Sequence, residues 1–229
     1  MQENNFKNLQ DSQNTGITLY TKENNKKQFK FIDLENESKK FTKVLSNLGV
    51  NSSDNIVILS DLLPQSYTAF WGCKELGNSP EIIDPKKDID QIKEKLIFTS
   101  AKIVITTQSL RKKISQIIFH LFDLQHIIII DDYNDNFKEI DIQDLSYNEE
   151  INKIEESFSN IDVFNTNKLE NLSLIKNFIQ DNESPKIWSL YKFNTPVNIL
   201  FSLVAPKIFK LHQLIVINKI SSNEYLDFL

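Results

Sequence analysis

Asp54–Pro85 reads DNIVILSDLLPQSYTAFWGCKELGNSPEIIDP, and this stretch decides the fold. Ile56–Leu59 is an unbroken run of large aliphatic residues, the pattern of a strand buried on both faces. Pro64 then opens a helix, because its fixed φ suits the first turn and its missing N–H is one the first turn leaves unsatisfied anyway. The helix runs through Phe70 and Cys73 to Leu76, and Gly77 closes it where a C-terminal cap calls for positive φ. Glu81–Ile83 reads as the next strand, ended by Asp84-Pro85. Strand, helix and strand in this order form a βαβ unit, whose two strands run parallel.

The same rhythm extends in both directions. Upstream, Asp33 is placed to cap a helix in which Leu34, Phe41, Val44, Leu45 and Leu48 share one face, with Gly49 following it. Downstream, a polar helix from Asp88 to about Thr99 leads to a strand at Ile103–Ile105, and a helix near Leu110–Phe122 leads to the isoleucine run Ile127–Ile130. Residues 133–160 are acidic and asparagine-rich with weak periodicity, which predicts a surface insertion. Beyond it the pattern predicts a helix at Leu169–Ile179, a strand at Ile187–Tyr191, a helix at Pro196–Phe209 and a strand at Leu214–Ile217. The expected fold is α/β, a mainly parallel sheet flanked by helices, in one domain over residues 1–229 with a polar tail at 1–16. No internal repeat is present.

Composition limits the partners. The 229 residues are 40% hydrophobic, enough for a sizeable core, and the net charge of -5 is mixed along the chain without a basic stripe. That argues against nucleic acid and anionic membranes. The single cysteine, Cys73, lies in an apolar stretch and reads as a buried small hydrophobe. Met1–Gly16 lacks the apolar centre of a signal peptide, so a cytoplasmic location is expected. Val197–Ile217 is broken by Asn198, Pro206, Lys207, Lys210 and His212, so no membrane span is expected.

Phe31-Ile32-Asp33-Leu34, Leu48-Gly49-Val50, Asp54–Leu59, Pro64-Gln65-Ser66, Ala69–Gly77 and Asp84-Pro85 follow one another in the order and spacing that opens the AMP-forming adenylating enzymes. Ser100–Thr107 and the isoleucine strand continue the match. The chain therefore resembles the N-terminal part of acyl-CoA synthetases, luciferases and peptide-synthetase adenylation domains. That resemblance implies a Ser/Thr/Gly-rich loop gripping the ATP phosphates after a strand at Ile161–Phe164. Here Asn165, Thr166 and Asn167 stand in the loop's place, followed directly by Lys168–Leu172, which is similar to the helix leaving it. No glycine occurs after Gly77. Glycine lets bare backbone N–H groups approach a phosphate, so Asn165-Thr166-Asn167 reads as a degenerate remnant and a turn. Lys192 occupies the place of the family's histidine, and the chain reaches Leu229 before the family's adenine and ribose motifs and its catalytic lysine.

No other residues form a convincing site. His120, His126 and His212 lack metal-ligand spacing; Asp131-Asp132 and Glu149-Glu150 read as solvated charges, Asp84 as a turn cap, and Trp71 and Trp188 as packing aromatics. The sequence predicts no catalytic residue, no cofactor, no metal and no ATP binding. It predicts a non-catalytic relative of the adenylating ligases that acts through protein contacts, as a homodimer or with another protein chain, using apolar surface at Val197–Phe209. The alternative is a subunit of a split AMP-dependent acyl-CoA synthetase-like ligase whose nucleotide site comes from a partner chain.

Overall fold

The computed structural model describes residues 16–20, 26–131, 142–154, 186–189 and 212–216. In chain order the elements are β1 (Gly16–Tyr20), β2 (Lys26–Lys30), α1 (Phe31–Asn47), β3 (Ile56–Leu59), α2 (Pro64–Glu75), β4 (Glu81–Ile83), α3 (Ile89–Thr99), β5 (Ile103–Thr106), α4 (Gln108–Ser115), β6 (His126–Ile129), β7 (Gln143–Ser146), α5 (Tyr147–Asn152), β8 (Lys186–Ser189) and β9 (His212–Val216). They fall into two compact units. One holds the sheet β2-β1-β9-β8; the other holds α1 from Leu34 onward, α2 from Gln65 onward, α3 to α5 and the sheet β4-β3-β5-β6-β7.

The five-stranded sheet is parallel throughout, with Ile58 opposite Ile82 and Ile105, and Ile105 opposite Ile128. Residues of β3 and β5 are buried at every position, which is why their sequences do not alternate. One face packs Val57, Leu59, Val104, Ile127 and Ile129 against Ile92 and Leu96 of α3 and Leu110 and Ile114 of α4. The predicted α/β class, a mainly parallel sheet flanked by helices, is the observed one.

Local chemistry sets the helix ends. Asp88 caps α3 by accepting from the Gln91 N–H at 2.8 Å. At the other end Ser100 takes φ 48°, a left-handed conformation that glycine usually supplies. Gly72 is required for a different reason: a Cβ there would meet Phe41 Cδ1 at 2.8 Å and the Ser38 carbonyl at 2.9 Å. The close approach of α1 and α2 lets the Thr42 hydroxyl donate to the Gly72 carbonyl at 3.0 Å.

Several expectations need correction. Residues 143–152, inside the supposed surface insertion 133–160, form β7 and α5; β7 completes the sheet, and Leu145, Tyr147 and Ile151 are buried. Pairing with β6 supplies the order that the polar sequence does not announce. Gly16, the last residue of the supposed polar tail, opens β1, which pairs antiparallel with β2 and parallel with β9. The helix expected near Leu110–Phe122 stops at Ser115 and gives way to a 3₁₀ turn at Ile118–His120, where the His120 and Leu121 N–H groups reach the Ile117 and Ile118 carbonyls. The tighter turn keeps Ile117, Ile118 and Leu121 in the core. The helices expected at 169–179 and 196–209 lie outside the described residues.

Candidate functional site

In the order β4-β3-β5-β6-β7, the chain leaving β3 passes through α2 to one side of the sheet, whereas the chain leaving β5 passes through α4 to the other. Their carboxyl ends therefore diverge, and a parallel sheet binds ligands in the crevice such a divergence opens. Beyond those ends lie Ser60 and Asp61 after β3, Asp84 after β4, Thr107 and Gln108 after β5, and Asp131 after β6.

These groups are ordered by their own short contacts. The Thr106 hydroxyl donates across to the Leu59 carbonyl at 2.7 Å, and the Ser66 hydroxyl donates to the Asp61 carbonyl at 2.9 Å while lying 3.0 Å from Ser60 Oγ. Asp84 Oδ1 accepts from the Lys86 N–H at 2.9 Å, the turn-capping role expected of it. Asp131 Oδ1 accepts from the Gln108 N–H at 2.7 Å, placing a carboxylate on the N-terminus of α4. Burial raises the Asp61 carboxyl above the ordinary carboxylate value; Lys86 opposes the rise and Asp84 adds to it. The crevice is thus acidic, and a helix end that suits an anion already holds one of the chain's own. Among the described residues no group of three or more His, Cys, Asp or Glu side chains is placed to hold a metal ion.

The other candidates are not brought together. Asn165, Thr166, Asn167, Lys192 and the stretch 197–209 lie outside the described residues, as do the side chains of Trp188 in β8 and His212 in β9. Cys73 is fully buried, and burial pushes its thiol far up, so it has no thiolate character. Trp71 is core, edge-on to Phe70 at 5.6 Å. His120 and Asp123 are exposed; His126 opens β6, half-buried. Glu149 and Glu150 occupy the first turn of α5, where the helix dipole favours them, and Glu150 pairs with Lys153.

Sequence reasoning missed two buried polar clusters. Arg111 of α4, 1% exposed, donates from Nε to both Asp144 oxygens at 2.9 Å and from Nη1 to Ser115 Oγ at 2.7 Å. Tyr147 donates to Glu37 Oε1 at 2.9 Å and shares a hydrogen bond with the Thr68 hydroxyl, while its ring lies 5.1 Å from that of Phe41. Burial, then Glu37, raises the Tyr147 phenol well above its usual value. Both clusters hold the β7–α5 segment to earlier elements, which makes them structural.

The fold matches known ligases. The Brucella canis acyl-CoA synthetase structure superposes with a TM-score of 0.73 at 14% identity, covering 93% of this chain and 42% of that one. An anthranilate CoA ligase determined in complex with anthranoyl-AMP superposes with a TM-score of 0.54 at 20% identity, covering 67% of this chain and 27% of that one. In sequence, the 2-succinylbenzoate–CoA ligase of Oceanobacillus iheyensis is 26% identical over 81 residues. Over part of its length the chain is similar to the acyl-CoA synthetase and CoA ligase enzymes. The sequence match covers 35% of this chain and 17% of the Oceanobacillus enzyme, and the chain spans less than half the length of each of these proteins. No protein-family model matches the chain. Among the described residues, no helix is long and apolar enough to cross a membrane.

Proposed function

We propose that this chain is a non-catalytic relative of the AMP-forming ligases and works through protein–protein contacts. The absence of glycine after Gly77 carries the reading. A phosphate cradle is built by backbone N–H groups converging in conformations that glycine adopts without cost, and Asn165-Thr166-Asn167 offers side chains in place of such a loop. The carboxyl ends of the strands support the same reading: Asp61, Asp84 and Asp131 follow β3, β4 and β6, Lys86 lies near Asp61, and Asp131 already accepts from the Gln108 N–H at the start of α4. An incoming triphosphate meets negative charge there.

Calorimetric titration of the chain with Mg-ATP and with a non-hydrolysable acyl-adenylate mimic tests the reading. No heat of binding at micromolar concentrations is expected for either. Micromolar binding of the mimic would overturn it in favour of a ligase subunit, with a partner chain completing the nucleotide site.

A further inference from the structure

Four large apolar side chains stand in solvent on two neighbouring segments. Ile97 and Phe98 end α3 at 48% and 85% exposure; Phe119 and Phe122, in and after the 3₁₀ turn, are 82% and 92% exposed. The first segment leads into β5 and the second into β6, so both lie at the amino end of the parallel sheet, opposite the crevice. The same segments line a small, shallow depression, formed by Leu96, Ile97, Val104, Leu121, Phe122 and Leu124 with His120 and Asp123 beside them. Single exposed hydrophobes are ordinary, but three phenylalanines on two adjacent segments, at roughly 200 Å² each, leave about 500 Å² of ring surface in water.

We infer that this face is the contact between two copies of the chain, related by a two-fold axis. The inference rests on the proposed function and names its partner. Three properties select a second copy. A two-fold interface must be self-complementary, and here the exposed Phe122 ring stands beside a shallow depression with apolar lining that a second copy's ring can cover. Paired across the axis, the two sets of rings bury about 1,000 Å² before any rim contributes, the area at which a specific interface begins. The rim also carries both signs of charge, with Lys95 Nζ 5.9 Å from the Phe98 ring centroid and Asp123 at the depression, so the face does not repel itself.

Sedimentation velocity over a concentration series tests the inference on the full chain. The expected species has twice the 26.7 kDa mass of one chain. Phe122→Asp and Phe98→Ser should give monomers with unchanged circular dichroism and melting temperature, because exposed side chains contribute little to the monomer's stability. Phe122→Leu should retain the dimer. A wild-type chain that stays monomeric throughout, a Phe122→Asp chain that still dimerises, or a monomer that uses Phe122 to hold a different protein would each overturn it. Nucleotide binding by a chain that remains a dimer would instead overturn only the non-catalytic reading.

Discussion

The two ends of the parallel sheet have opposite characters. At the carboxyl end, donors that could meet a ligand are taken by the chain's own carboxylates: Gln108 N–H by Asp131 and Lys86 N–H by Asp84. At the amino end, Phe98, Phe119 and Phe122 are left in water although the hydrophobic effect favours covering them. A sheet of this topology binds ligands at its carboxyl end. Here that end carries polar self-contacts, while exposed apolar surface lies at the other end.

The largest expected effect comes from loosening the β7 edge of the sheet. Arg111→Leu leaves Asp144 buried with no guanidinium, and removing one member of a buried ion pair costs about 3–5 kcal/mol. Urea denaturation should show that loss, with β7 and Ser146–Tyr147 released together. Replacing both partners, Arg111→Leu with Asp144→Leu, should recover most of it, since an apolar pair of similar volume carries no unpaired charge. If the double variant is no better than the single one, Arg111 is acting through its Ser115 contact instead. A smaller effect belongs to the carboxyl end alone. Asp131→Ala removes the carboxylate from the α4 N-terminus and should cost about 1 kcal/mol in the same assay. A loss under about 0.3 kcal/mol would mean water replaces the cap without penalty.

Legibility followed burial pattern. β3, α2, β4 and β5 announce themselves because every residue of β3 and β5 is buried and Pro64 and Gly77 bracket the helix. Gly77 takes φ 93°, as a closing glycine should. β7 does not announce itself: Gln143-Asp144-Leu145-Ser146 has one large apolar residue, and its order comes from pairing with β6. β2, Lys26–Lys30, is equally polar, and its order comes from β1. Arg111 sits in the basic run Arg111-Lys112-Lys113, where nothing local says that one of the three is buried; Asp144, 33 residues on, decides it. Phe98 and Phe122 were readable as apolar but not as exposed, since periodicity gives a face and not what covers it. The crevice was legible only through Asp84, the strand-end carboxylate whose turn the sequence predicts.

The smallest expected effects separate the two ends by pH. Asp61, at the carboxyl end, has its folded value raised above 3.8 by burial, so the folded state prefers its neutral form. Its favourable contribution is present below pH 3.8 and is lost as pH rises through the raised folded value. Asp61→Asn should therefore melt slightly higher than wild type at pH 7, with the gain vanishing near pH 3.8. His126, at the amino end, is lowered below 6.5, first by burial and then by Lys102, and its Nδ1 has no hydrogen-bond partner among the described residues. The neutral ring is the one the fold accepts, so its contribution is present above pH 6.5 and is lost as pH falls through the lowered value. Wild type should lose stability below pH 6.5, and His126→Gln should flatten that part of the curve. Thermal melts of the three proteins from pH 3.5 to 8 would place the carboxylate's effect and the imidazole's effect in separate windows. A His126→Gln curve that parallels wild type through pH 6 would show that the acid sensitivity arises elsewhere.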